Sequence, residues 1–125
     1  MRSAVDFIES LSPWPRDGFG LERIHALLDE LRNPQRAYPS IHVVGTNGKG
    51  TTTRTIEETL AAEGLLAGDY YSPHVTGWAE RIRVGGTEAD FERAIERVRP
   101  ASERLGATQF EVLTAAALAE FAGSL

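Results

Sequence analysis

The sequence has no cysteine among its 125 residues. That absence excludes disulfide frameworks and thiolate metal sites. No run approaches the roughly 20 apolar residues that a membrane span requires, and the amino-terminal stretch lacks the apolar segment of a signal peptide. No block of like charge is long enough to indicate a nucleic-acid or anionic-membrane surface. We therefore expect a cytoplasmic protein that binds neither nucleic acid nor membrane.

The composition is that of a globular protein. Hydrophobic residues make up 42% of the chain and charged residues 25%, and the formal net charge is −5. This balance distinguishes the chain from disordered and fibrous proteins. The length suits at most one ordinary domain with a single core.

Helical and strand patterns alternate along the chain. Apolar periodicity and capping signals predict helices, whereas short apolar runs predict strands. The predicted helices cover residues 3–11, 20–34, 48–63, 87–98 and 108–122, and the predicted strands cover 40–45, 66–72 and 80–86. Pro100 is expected to end or kink the fourth helix, and the run at 40–45 is typical of a strand buried on both faces. The alternation favours an α/β fold in which helices flank a parallel sheet.

The last predicted helix is apolar around almost its whole circumference. Such a helix needs protein on all sides, and two or three short strands cannot cover it. We therefore expect an exposed apolar face that promotes self-association. We also expect the 125 residues to be an amino-terminal piece of a longer protein.

The stretch HVVGTNGKGTTTRT at residues 42–55 covers the end of a predicted strand, a glycine-rich turn and the start of a predicted helix. Glycines allow backbone N–H groups to converge on a phosphate chain, and the helix adds its positive dipole end. Lys49 supplies a cation, and the Thr51 hydroxyl can reach an accompanying Mg²⁺. The stretch departs from the standard P-loop at two positions. Val43 stands where the first glycine would fall, and Gly50 separates the lysine from the hydroxyl residue. The alternative is an ordinary turn with a solvated lysine.

Three segments carry a family resemblance. IHVVGTNGKGTT resembles the nucleotide loop of the Mur ligase superfamily, and the extra glycine is typical of its folate branch, folylpolyglutamate synthase and dihydrofolate synthase. YYSPHVTGWAERIRVGG is similar to the Ω-loop segment of that branch, and TQFEVLTAAALAEFA to its next block. The resemblance implies a P-loop ATPase domain of Mur ligase type. Residues 1–125 would be its amino-terminal portion, without the rest of that domain and the carboxy-terminal domain.

The resemblance also implies an activity. The family joins glutamate to a folate or dihydropteroate carboxylate through an acyl phosphate, using ATP and Mg²⁺. Its members are mostly monomeric. Only part of that site would lie in this chain, so we expect the 125 residues alone to be inactive. The alternatives are a cell-wall ligase of Mur type and an ATP-binding module without ligase chemistry.

The resemblance also implies site residues, each assigned by its position in the matching segment. Lys49 matches the family's phosphate lysine, and Thr51 matches its Mg²⁺-ligating hydroxyl. The residues matching the phosphate cradle are Thr46, Asn47, Gly48 and Gly50. Glu111 has two interpretations: the family's glutamate beside the metal, or the third-position glutamate of a capping box opened by Thr108.

A second set of residues concerns the first substrate. Ser72, Pro73 and His74 align with the family's Ser-Pro-His, which contacts the pterin-bearing substrate. Arg81 and Arg83 alternate about Ile82, so they share one face of a short strand. That face is either an anion-facing pair near the substrate or a solvated edge. Asp69 departs from the family's more apolar second strand.

Overall fold

The computed structural model describes residues 3–11, 21–43, 49–70, 82–85, 87–88 and 90–124, without the side chains of residues 49, 50, 87, 88 and 124. Its helices are α1 (Ala4–Glu9), α2 (Glu22–Glu30), α3 (Lys49–Ala62), α4 (Phe91–Leu105) and α5 (Gln109–Ser124). A 3₁₀ turn spans Pro34–Ala37, and the strands are β1 (Gly68–Tyr70), β2 (Ile82–Val84) and β3 (Thr87–Glu88). Within these ranges, no helix is both long enough and apolar enough to cross a membrane.

Helix boundaries lie close to the predicted ones except at the end of α2, which stops at Glu30 rather than at residues 33–34, and at the start of α4. Gly64, with φ of +82°, follows α3 at the predicted stop. The helix predicted to open at Thr87 begins instead at Phe91, because Thr87 pairs with Val84 in the sheet. Asp90 is the N-cap, and its side chain accepts a 3.1 Å hydrogen bond from the backbone N–H of Arg93.

Pro100 lies inside α4. Of the two alternatives, the helix end at Pro100 is therefore wrong, and the kink stays a prediction. A proline in a helix interior costs about 3 kcal/mol through a lost hydrogen bond and a steric clash. The buried face of α4 continues on both sides of Pro100, and its burial outweighs this cost. Its members are Phe91, Ala94, Ile95, Val98, Ala101 and Ser102.

The described strands form an antiparallel sheet in the order β1-β2-β3. The expectation of parallel pairing is therefore wrong for these strands. Asp69 stands opposite Arg83 in the β1–β2 register. The connection at residues 71–81 explains the direction, because a parallel crossover usually needs a dozen or more residues with a helix.

The predicted strand at 40–45 is not found in its described part. Residues 41–43 have no strand pairing, and Ile41 is 65% exposed rather than buried on both faces. A strand buried on both faces needs neighbours on each side. The described strands pair only with one another, so they supply no such neighbour.

Helix α5 forms the centre of the core. It contacts α1, α2, α4, the 3₁₀ turn, β1 and β2. Its buried residues include Val112, Leu113, Ala115, Ala116, Ala117, Ala119 and Phe121. Among its described large apolar side chains only Phe110, 47% exposed, lies open to solvent. The expectation of a broad exposed face is wrong, because helices cover α5 as well as strands.

Polar contacts fix α5 within this shell. The Tyr38 hydroxyl donates to the Leu118 carbonyl at 2.9 Å, and the side-chain amide of Gln109 donates to the Ile8 carbonyl at 3.2 Å. Glu120 is 1% exposed and forms an ion pair with Arg93. The first turn of α5, which carries Glu111, is thus anchored to α1 through Gln109.

Candidate nucleotide and metal site

Helix α3 begins at Lys49, directly after the glycine-rich turn. This confirms the helix that the turn was expected to enter. The first N–H groups of a helix have no partner within it, and its dipole makes that end positive, as anion binding requires. Thr46, Asn47 and Gly48 lie outside the described residues, as does the side chain of Lys49. Their phosphate role stays a prediction.

Thr51 is exposed in the first turn of α3. Its carbonyl accepts a 2.9 Å hydrogen bond from the Thr55 hydroxyl, and the Thr55 carbonyl accepts one of 2.8 Å from Thr59. The hydroxyls of Thr55 and Thr59 are thus used within the helix. No partner within the described chain engages the hydroxyl of Thr51, so that oxygen is available to a ligand.

Glu111 forms the predicted capping box with Thr108. Its Oε1 accepts hydrogen bonds from the Thr108 backbone N–H at 2.9 Å and from the Thr108 hydroxyl at 3.0 Å. The Thr108 hydroxyl in turn accepts from the Glu111 N–H at 3.4 Å. The capping interpretation is confirmed. The metal interpretation stays a prediction.

Arg23 reaches the same carboxylate from α2, a contact that sequence reasoning missed. Its Nη1 lies 3.4 Å from Glu111 Oε1. Within the described residues, every hydrogen bond to this carboxylate falls on Oε1. Capping and cation binding are therefore compatible, because Oε2 remains available.

No hydrogen bond or ion pair within the described ranges joins Thr51 to Glu111. Nor do those ranges contain a group of three or more histidine or carboxylate side chains arranged to hold a metal ion. Any cation at this site would thus have few ligands from the described residues.

The candidate substrate residues are not described. Ser72, Pro73, His74 and Arg81 lie outside the ranges that the structure describes. Neighbouring Asp69 is described, and it is only 5% exposed. Neither of its carboxylate oxygens has a hydrogen-bond partner in the described part of the chain. This is an unusual state for a buried charge.

Comparison with known proteins agrees with the resemblance. No family model matches the chain. A dihydrofolate synthase/folylpolyglutamate synthase of Mycobacterium tuberculosis is 37% identical over 127 aligned residues, covering 87% of this chain. The folylpolyglutamate synthase of Lacticaseibacillus casei is 41% identical over 103 residues, covering 74% of this chain. A solved bifunctional synthase of Yersinia pestis, complexed with AMPPNP and a Mn ion, matches 98% of this chain with a TM-score of 0.85 and 32% identity.

The chain belongs to the folylpolyglutamate synthase and dihydrofolate synthase family. It covers 26% of the mycobacterial relative, 24% of the L. casei relative and 32% of the Y. pestis chain. The chain thus spans about a quarter of the length of the curated relatives it matches. Its fold, over nearly its full length, is that of the corresponding part of the family's solved structures.

Proposed function

We propose that the protein acts, at the full length of its relatives, as an ATP-dependent ligase. It adds glutamate to the carboxylate of folate or dihydropteroate through an acyl phosphate. The observation that carries this proposal is the 37% identity, over 87% of the chain, to a dihydrofolate synthase/folylpolyglutamate synthase. The partners are small molecules: ATP, glutamate and the folate or pteroate acceptor.

Residues 1–125 would form the amino-terminal portion of the ATP-binding domain. In the proposed complete domain, the segment at 40–45 is a strand of a parallel sheet that leads into the phosphate loop. The start of α3 at Lys49 supports this arrangement, because the helix follows the turn directly.

The phosphate chain of ATP would lie at the amino end of α3. Backbone N–H groups of Thr46, Asn47, Gly48 and Gly50 would surround it, and Lys49 would add a mobile positive charge. Catalysis of phosphoryl transfer depends mainly on positioning and on neutralising charge at the moving group. These residues would perform both tasks for the attack of the acceptor carboxylate on the γ-phosphate.

The Thr51 hydroxyl and Glu111 Oε2 would hold Mg²⁺. Both are hard oxygen donors of the kind Mg²⁺ prefers, and neither has a hydrogen bond within the described chain, so the residues present fit the ion. When bound, the cation would neutralise charge on the phosphate oxygens. The solved Y. pestis relative contains Mn and AMPPNP, which supports a divalent cation beside the nucleotide.

Ser72, Pro73, His74 and Arg81 would contact the pterin-bearing substrate. β1 ends at Tyr70, two residues before Ser72, and Arg81 directly precedes β2. Two paired strands therefore fix both ends of the segment that carries them.

The proposal is tested first at the nucleotide. Lys49→Ala should weaken binding of ATP much more than binding of adenosine, because the lysine interacts with phosphates. Titration calorimetry showing equal losses for both would contradict the phosphate role. Lys49 is also the only lysine among the 125 residues, so an amine-selective reagent applied to this chain should modify only Lys49 and the amino terminus. Protection of Lys49 by ATP but not by adenosine would support the same conclusion independently.

The ligase activity is tested on a protein of the relatives' full length. We expect ADP release that requires both a folate or dihydropteroate and glutamate. ATP binding without such release would indicate an ATP-binding module, and release that requires a cell-wall precursor would indicate a ligase of Mur type.

A further inference from the structure

We propose that Arg23 offsets the charge of Glu111, so that this carboxylate holds a divalent cation only when nucleotide phosphates are present. Arg23 would be a positioning residue that acts through Glu111 and touches neither substrate nor metal. The inference rests on the proposed metal role of Glu111.

The first step is the placement of the guanidinium. Arg23 Nη1 lies 3.4 Å from Glu111 Oε1, and the two side chains are 26% and 9% exposed. Charges in partly buried positions are screened less than charges on the surface. The negative charge at this corner of α5 is therefore largely balanced before any cation arrives.

The second step separates charge from orientation. Thr108 holds the same oxygen through its backbone N–H at 2.9 Å and its hydroxyl at 3.0 Å. Both contacts are shorter than the one from Arg23, and both donors are neutral. Removing Arg23 would change the local charge while the capping box keeps the carboxylate in place.

The third step concerns what remains to hold a cation. Mg²⁺ sites in nucleotide enzymes typically combine one or two carboxylates with substrate phosphates. The described chain offers no cluster of three or more acidic or histidine ligands. With Arg23 opposing its charge, Glu111 is too weak a ligand to hold the metal ahead of the nucleotide. The cation would enter as its complex with ATP.

The test uses Mn²⁺ as the probe, measured by electron paramagnetic resonance with and without AMPPNP. Arg23→Met should bind Mn²⁺ without nucleotide about threefold to tenfold more tightly than the wild type, the range expected for one partly exposed charge pair. Arg23→Lys, which keeps the charge, should stay near wild type. The control Arg104→Met, which removes an arginine paired with Glu30, should also keep a Mn²⁺ affinity near that of the wild type. A purely structural role for Arg23 would weaken metal binding instead, so the sign of the change is decisive.

Glu111→Gln separates this inference from the metal assignment on which it rests. If Glu111→Gln weakens Mn²⁺–AMPPNP binding but Arg23→Met shows no gain without nucleotide, the Arg23 inference is wrong and the metal role stands. If Glu111→Gln leaves Mn²⁺–AMPPNP binding unchanged, both are wrong. The gain should vanish in the Arg23→Met/Glu111→Gln double variant. Arg23→Gln provides a second neutral substitution should the methionine variant fold poorly.

Discussion

The aromatic ring of Phe121 lies directly against Gly68. A Cβ atom built on Gly68 would come within 2.6 Å of Cδ1 and Cε1 of that ring, and within 3.1 Å of the Arg83 carbonyl. Phe121 is 7% exposed, so the ring has little room to move. The close approach of α5 to β1 therefore requires glycine at position 68.

Gly68→Ala should lower the free energy of unfolding by about 1–3 kcal/mol, because the added methyl group overpacks this contact. Urea denaturation measures the change. Phe121→Leu in the same chain should recover part of the loss, so the two substitutions should be non-additive in a double-mutant cycle. A Gly68→Ala variant as stable as the wild type would contradict the close packing.

Asp69→Val should stabilise the chain. The buried Asp69 carboxylate has no hydrogen-bond partner in the described residues, and an uncompensated buried polar group costs about 1–3 kcal/mol. Valine also suits a strand position. Asp69→Asn is the matched control, since it removes the charge with little change of volume and should stabilise to a lesser degree. A lower thermal midpoint for both variants would instead indicate that Asp69 forms an ion pair across the sheet with Arg83.

Signals that act within a few residues predicted the local structure well. The apolar periodicity and the capping box of Thr108 and Glu111 correctly predicted α5, and Gly64 predicted the end of α3. Pro100 does not end α4, because the buried face of that helix packs against other elements on both sides of the proline. Packing of α4 against the rest of the core therefore outweighed the local penalty of Pro100.

Contacts between distant residues could not be read from the sequence. The antiparallel direction of β1 and β2 is different, because the short connection between the two strands already argues against a parallel crossover. The contact between Arg23 and Glu111 joins two helices whose periodicity shows which face is buried but not which partner it meets. The metal and capping interpretations of Glu111 are not exclusive, because every hydrogen bond to its carboxylate within the described chain falls on Oε1, which the sequence does not show.

Stability should fall at high pH through Tyr38. Burial raises the pKa of Tyr38 from 10.0 to about 12, so its neutral form is favoured in the folded chain. The contribution is complete below pH 10.0 and is lost as the pH rises towards about 12. Because Tyr38 is only half-buried, we expect a loss of no more than about 1–2 kcal/mol.

The comparison of wild type with Tyr38→Phe isolates this effect. The phenylalanine variant should lose the hydrogen bond to Leu118 at every pH but lack the additional loss above pH 10.0. Denaturation at a series of pH values measures both. Parallel curves for the two proteins would show that Tyr38 titrates normally.

Substitutions should distinguish the capping role of the first turn of α5 from its proposed metal-binding role. Thr108→Ala should lower stability by about 1 kcal/mol, the usual cost of a lost N-cap, with little effect on Mg²⁺-dependent nucleotide affinity. Glu111→Gln should keep most of the cap, since glutamine also serves in a capping box, and should reduce that affinity. Thermal melts and calorimetry with and without Mg²⁺ distinguish them. An unchanged Mg²⁺ dependence in Glu111→Gln would leave the cap as the only role of Glu111.

The 125-residue chain by itself should catalyse no ligation. It spans about a quarter of the length of the relatives it matches, and the proposed phosphate loop and first-substrate segment are only part of the groups that the reaction needs. Phosphoryl transfer requires the attacking and leaving oxygens to be held in line at the γ-phosphorus, with the cation beside the phosphates. A partial site forfeits most of that advantage. The measurement is ADP production by the purified chain with folate and glutamate, beside Lys49→Ala. ADP production that needs both substrates and is abolished by Lys49→Ala would show that these residues already contain a complete site.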